Sequence, residues 1–177
     1  FHHISLLARH KRKENDNKLY GTDALGLLKA DVDNLGLLMS CGLSQDTYSI
    51  SRIATLSRQL DYFFSIYLVD LLKTKIEYEN IYTVFSGGDD LFLIGPWDIM
   101  PKLALELHNQ FEKYVGNNPD ITFSAGISIH KSNTPIDIMA AAAEHALEKS
   151  KVDRKCITIF DETVTWSELA ELNIIKE

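Results

Sequence analysis

The spacing of apolar and polar positions changes several times along this chain, and each change predicts an element. "LGLLKAD" (25–31) is a short apolar run ending in an acid, the pattern of a central strand. From Ile50 to about Leu72, Ile50, Ile53, Leu60, Phe64, Tyr67 and Leu71 recur mostly three and four apart, the stripe of a long amphipathic helix with Ser49 or Ser51 as its N-cap. "IYTVFS" (81–86) and "LFLIG" (91–95) flank Gly-Gly-Asp-Asp as the strands of a hairpin. A second helix starts near Asp98, carries Pro101 in its first turn and ends before Gly116. In "ITFSAGISIH" (121–130) apolar and polar residues alternate, which predicts a strand with one buried face. Thr134-Pro135-Ile136-Asp137 reads as an N-cap, a proline at the first helical position and an acid in the first turn of a third helix. "CITIF" (156–160) closes the series as a short strand, and a capping box from Thr165 to Glu168 opens a last helix.

Strand, helix, hairpin, helix, strand spells β-α-β-β-α-β, an α+β ferredoxin-like unit with an extra C-terminal helix and strand. Its usual sheet order is 4-1-3-2, so the first and third strands are antiparallel neighbours. The end of the first strand, at Asp31, then lies beside the start of the third, at Asp89 and Asp90. The folded unit is expected over 25–162, after a lead-in with a charged loop at 1–24. Residues 163–177 are expected to form a helix leading toward a downstream domain.

With 177 residues and 45% apolar content, the chain is long and apolar enough for one well-packed domain. No apolar run reaches the roughly 18 residues of a membrane span, and no signal-peptide pattern is present, so a cytoplasmic, membrane-free protein is expected. The start at Phe1 is consistent with a piece of a longer protein. Cys41 and Cys156 stand far apart with no Cys-x-x-Cys pair, which predicts no zinc knuckle within the chain. A net charge of −7 argues against general binding to nucleic-acid backbone. The basic cluster "RHKRK" (9–13) reads as a solvated loop.

An acidic chain can still bind a nucleotide if a divalent cation joins carboxylates to phosphates. Asp31 and Asp33 share one face if the first strand continues through them. Topology brings both toward Asp89 and Asp90. Without a cation such a cluster raises its own pKa values by repulsion. All-oxygen ligands suit Mg²⁺ or Mn²⁺. Two ions about 4 Å apart can activate an attacking hydroxyl and stabilise a leaving pyrophosphate. Gly87 and Gly88 lack a Cβ, so a triphosphate can come close to the backbone. Each motif alone has a bland explanation, a strand-end cap for one and a polar turn for the other. Their meeting at adjoining strand ends favours a metal site.

"LKADVDNLG", "SRIATLSRQLDYFF", "VFSGGDDLFLIGPW" and "ITFSAGISI" together resemble the GGDD-bearing palm domain of the large subunit of type III CRISPR effector complexes, in its Csm-type subfamily. The resemblance runs from about Leu25 to Phe160. It implies a cyclase-like palm, related to polymerase palms and GGDEF cyclases, that joins ATP molecules 3′ to 5′ into cyclic oligoadenylates when the complex binds target RNA. It implies Asp31 and Asp89 as metal-binding acids, Asp90 as their companion, and Asp33 as either a residue supporting the metal ligands or a ligand to a second metal. Ser86, Gly87 and Gly88 would form the phosphate-facing tip. Asn34 would lie near the nucleotide, and Lys151, with Lys155 after it, would meet the triphosphate. The partners implied are ATP, a second palm and the other subunits of the complex, with guide and target RNA reached through the complex. One set of acids and one Gly-Gly tip make one half-site, so the isolated chain is expected to bind ATP weakly and make little cyclic product.

Two alternatives predict different chemistry. A GGDEF diguanylate cyclase calls for an aromatic directly after the two acids, where this chain has Leu91. A silent nucleotide-binding scaffold would respond to neither Mg²⁺ nor Mn²⁺. Retention of Asp31, Asp33, Asp89 and Asp90 together argues against it.

Overall fold

The structure, a computed structural model, describes residues 24–42 and 49–174. The basic cluster at 9–13 and nearly all of the expected lead-in lie outside the described residues. Strand β1 (Ala24–Val32) is the middle of the fold and is buried along almost its whole length, as its apolar run requires. On one side it pairs antiparallel with β3 (Asp90–Pro96), in register from Leu25 opposite Pro96 to Asp31 opposite Asp90. On the other it pairs antiparallel with β4 (Phe123–Lys131). Strand β2 (Tyr82–Gly87) forms the hairpin with β3. Strand β5 (Cys156–Ile159) runs parallel to β4, and β6 (Glu162–Thr165) runs antiparallel to β5. The sheet order is β2-β3-β1-β4-β5-β6, which contains the expected ferredoxin-like order read from its far edge.

Helices cover both faces. After β1 come α1 (Leu35–Cys41) and α2 (Ile50–Tyr62), whose first turn is capped by Ser49 accepting the Arg52 N–H at 3.3 Å. Helix α2 continues through a π-helical turn (Phe63–Tyr67) into α3 (Leu68–Thr74). Together with α4 (Met100–Tyr114) it packs on the face that carries Leu28, Ala30 and Val32 of β1. Phe63, Phe111 and Phe123 meet edge to face there, with centroids 5.0 and 5.3 Å apart along the chain of contacts. Helix α5 (Ile136–Asp153) covers the opposite face, where Leu25, Leu27, Ile94, Met139 and Ala143 form a second cluster. Helix α6 (Trp166–Ile174) follows β6, and its capping box forms as expected. Glu168 accepts the Thr165 N–H at 2.8 Å, and Thr165 accepts the Glu168 N–H at 3.3 Å. Among the described residues no helix is long and apolar enough to cross a membrane.

Three local expectations are corrected. The polar face of β4 does not meet solvent: Ser124, Gly126 and Ser128 are buried under α5. Small side chains make this possible, and Ser128 Oγ donates to the Met139 carbonyl at 3.2 Å. Pro135 is the N-cap of α5 rather than its first helical residue. Strand β6 and the short α1 have no counterpart in the sequence reading. The β5–β6 turn places Phe160 and Asp161 at φ of 52° and 69°, a conformation that Asn-Gly would have announced and these residues do not.

The close approach of α5 to β4 has a testable consequence. A Cβ at Gly126 would stand 2.2 Å from the Leu147 nitrogen and 2.6 Å from the Ala146 carbonyl carbon, both backbone atoms that cannot swing aside. Gly126→Ala should therefore lower stability by about 2 kcal/mol, within the usual range for overpacking. Urea denaturation measures this, and an unchanged midpoint would contradict the packing described.

Candidate active site

The site begins with strand register. Asp31 and Asp90 are paired across β1 and β3, and alternation directs both to the face covered by α5. The ladder extends into the hairpin tip through the Val32 N–H, which donates to the Asp89 carbonyl at 3.0 Å. Gly87 pairs with Asp90, so Gly88 and Asp89 form the turn between the strands. Gly88 has φ 67°, which glycine adopts without strain, and the space where its Cβ would stand is open. Two apolar strands therefore deliver three carboxylates to one end of the sheet.

The electrostatics follow from that convergence. Burial pushes the Asp31 carboxyl above its ordinary pKa; Lys151 opposes the rise, and Asp89 and Asp90 add to it. Asp90 is also raised, first by burial and then by Asp89, with Lys29 pulling the other way. Lys151 projects from the last turns of α5, and its Nζ lies 3.1 Å from Asp31 Oδ2 and 3.4 Å from Glu148 Oε1. Burial works against its ammonium, but Asp31 and Glu148 outweigh burial and its pKa rises. Lys29 pairs with Glu144 of α5 and lies 5.1 Å from the centre of the Phe92 ring, so a row of alternating charge lines the seam between β1 and α5.

Among the described residues no three Asp, Glu, His or Cys side chains are drawn together tightly enough to hold a metal, and Lys151 engages Asp31. The chemistry of the donor set nevertheless fits a hard divalent cation. Three carboxylates stand near one another at adjoining strand ends, and two of them have pKa values lifted by burial and mutual repulsion.

Other expected residues have different surroundings. Asp33, expected as a metal residue, is buried and its carboxylate accepts three protein bonds: Thr122 Oγ1 at 2.8 Å, Ser124 Oγ at 2.7 Å and the Lys155 N–H at 3.2 Å. A carboxylate so satisfied ties β1 to β4 and to the turn before β5, which favours the supporting role over direct metal binding. Ser86 and Gly88, expected to face phosphate, turn their donors inward. Ser86 Oγ donates to the Phe64 carbonyl at 2.5 Å, and the Gly88 N–H donates to Asp61 Oδ1 at 2.7 Å. Asn34 and Lys155 line a separate groove of about 370 Å³ with Asp120, Thr122 and Arg154, and Lys155 Nζ donates to the Pro119 carbonyl. The structure thus gathers Asp31, Asp89, Asp90 and Lys151, and sets Asp33, Asn34 and Lys155 to one side. Asp61 was missed because a polar residue in "LSRQLDYFF" fits the exposed side of an amphipathic helix.

A family model described as Cas10/Cmr2, second palm domain, matches residues 24–158. The chain belongs to that family. It is 38% identical over 164 residues to the CRISPR system single-strand-specific deoxyribonuclease Cas10/Csm1 (subtype III-A) of Enterococcus italicus, covering 91% of this chain and 21% of that protein. The protein of the same name from Methanocaldococcus jannaschii is 36% identical over 176 residues, covering 86% of this chain and 22% of its own length. This Cas10/Cmr2 palm therefore spans about a fifth of the curated relatives it matches. Among solved structures, an apo Csm1–Csm4 cassette aligns with a TM-score of 0.77 at 28% identity, covering 96% of this chain and 25% of that one. A Csm1–Csm4 cassette in complex with cA4 aligns at 0.75 and 30% identity, covering 86% and 24%.

Burial of Asp90, with repulsion from Asp89 added to it, sets a pH dependence. With the Asp90 pKa raised above its ordinary 3.8, the folded palm takes up this proton more readily than the unfolded chain does. The associated stability is fully present below the unfolded pKa and is lost as pH rises through the folded one. In chelator, Asp90→Asn should melt above the parent at pH 7, and the gap should close as pH falls toward 4. Thermal melts across that range test this; a variant melting below the parent at pH 7 would contradict it.

Proposed function

We propose that this palm converts ATP into cyclic oligoadenylates within a type III CRISPR effector complex, using Mg²⁺ or Mn²⁺ held by Asp31, Asp89 and Asp90. The observation that carries the reading is the convergence of these acids at the paired ends of β1 and β3, in a chain of the Cas10/Cmr2 second-palm family. Two bound ions would supply Lewis acidity for an attacking 3′-hydroxyl and counter-charge for a leaving pyrophosphate. Asp31 and Asp90 present oxygen ligands from directly opposite positions on neighbouring strands, so their separation is fixed by the sheet rather than by a loop. Lys151 holds Asp31, and a cation bound by Asp31 would leave its ammonium free for the triphosphate. Gly88 presents no side chain against an incoming nucleotide.

Solved relatives support the substrate class. The similar Csm1–Csm4 cassettes include complexes with one ATP, with pppApA and with cA4. In this proposal the palm works beside another palm that holds the second nucleotide, with a Csm4-like subunit and RNA-bearing subunits around them, in the cytoplasm. The deoxyribonuclease named in the curated relatives belongs to proteins more than four times as long, and these acids are given no part in it.

The ion pair between Lys151 and Asp31 favours one rival, a palm that binds nucleotide without turnover. The two readings part on a single experiment in the RNA-activated complex. Replacing Asp89 and Asp90 together with Ala should reduce oligoadenylate synthesis more than roughly 100-fold, beyond the usual effect of losing an outer-shell partner, while circular dichroism stays unchanged. Near-parental synthesis by the double variant would overturn the mechanism. A parent complex that binds ATP and makes no product would establish the silent scaffold.

A further inference from the structure

The hairpin tip is held from behind. The Gly88 N–H donates to Asp61 Oδ1 at 2.7 Å, and Ser86 Oγ donates to the Phe64 carbonyl at 2.5 Å. Both acceptors lie where α2 passes into the π-helical turn. There the Leu68 N–H reaches back five residues to the Phe63 carbonyl, so it does not make the bond to Phe64 that a regular α-helix would give. The helix is in turn fixed to the core: Phe63 and Phe64 are fully buried and stack edge to face at 5.2 Å. Ser65 Oγ donates to the Asp61 carbonyl at 2.6 Å, which ties this residue's backbone to the same turn.

We infer that Asp61 is a positioning residue for the metal-binding acids, an inference that rests on the proposed function. The Val32 N–H holds the Asp89 carbonyl on the β1 side of this two-residue turn, and Asp61 holds the Gly88 amide on the helix side. One peptide separates Gly88 from Asp89, and Asp90 follows directly. Anchoring the Gly88 amide therefore fixes the direction in which Asp89 leaves the turn, beside an Asp90 that the ladder already holds opposite Asp31. The bond is charge-assisted, and its acceptor is carried on a helix packed into the core rather than on a loop. It also keeps the Gly88 donor pointing away from the face that carries Asp31 and Asp90, so the tip would meet a nucleotide through Asp89 and Asp90 and not through this amide.

The test uses the full-length protein in its effector complex and three variants. Asp61→Ala removes the acceptor. Asp61→Ser is too short to reach Gly88 and serves if the alanine variant does not fold. Asp61→Asn removes the charge but keeps Oδ1 as an acceptor. Mn²⁺ affinity is read by electron paramagnetic resonance, and hydrogen exchange by mass spectrometry on the peptide spanning Phe85 to Phe92. Asp61→Ala and Asp61→Ser should weaken Mn²⁺ binding by roughly 10-fold or more, the scale set by outer-shell partners, and speed exchange at the tip. Asp61→Asn should restore both to within a few-fold of the parent. Parental Mn²⁺ affinity in the Ala or Ser variant would overturn the inference, and so would an Asn variant as weak as they are, because the charge and not the bond would then be responsible. If Mn²⁺ binding in the parent does not depend on Asp89 and Asp90, the proposed function itself falls, and the inference with it.

Discussion

Everything at this site depends on the register between β1 and β3. Leu25 opposite Pro96 at one end forces Asp31 opposite Asp90 at the other, and a slip of one residue would turn every side chain to the other face. The register is secured by two-sided burial: Leu28, Ala30 and Val32 face the α2–α4 side, while Leu25 and Leu27 face α5. Hydrophobic packing along the strand thus holds like charges together at its end. Burial and mutual repulsion raise the pKa of Asp31 and Asp90, so the acids store an unfavourable interaction that the apolar strand above them sustains.

A second constraint carries the counter-charge to the same place. Helix α5 lies against β4 closely enough that Gly126 has no room for a Cβ, and this contact sets where Lys151 emerges relative to Asp31. Asp33 completes the arrangement by tying the end of β1 to Thr122, Ser124 and the backbone of Lys155 just beyond α5. The turn there keeps Arg154 and Lys155 at φ of 59° and 52°, conformations that non-glycine residues adopt at some cost. Two aspartates separated by one residue therefore do different work. Asp31 remains partly open beside Asp90, and Asp33 is closed off by hydrogen bonds.

The elements legible in the sequence were those whose period matched a single dominant environment. The stripe from Leu60 to Leu71, the apolar run of β1 and the Gly-Gly-Asp-Asp turn announced themselves, and with the topology they brought Asp31, Asp89 and Asp90 together, whereas Ile50 at the start of the helix is exposed. The illegible parts depended on tertiary partners. Alternation in β4 marks two faces but cannot say that Ser124, Gly126 and Ser128 lie under a helix. The β5–β6 hairpin uses Phe160 and Asp161 where a turn signal would need Asn or Gly. Asp33 matches the expected position and face, yet its use was decided by Thr122 and Ser124, which lie 89 and 91 residues later in the chain. Asp61 carries no motif at all; only the packing of the π-helical turn against the hairpin reveals it.

The central claim is that three acids at adjoining strand ends hold divalent cations. Crystals of the full-length protein soaked with ATP and Mn²⁺ test it most directly, through anomalous scattering. The account predicts manganese peaks bounded by Asp31, Asp89 and Asp90, with Lys151 drawn off Asp31 toward the triphosphate and Asp33 still bonded to Thr122 and Ser124. Manganese on Asp33, or ATP bound with no metal at the ends of β1 and β3, would contradict it.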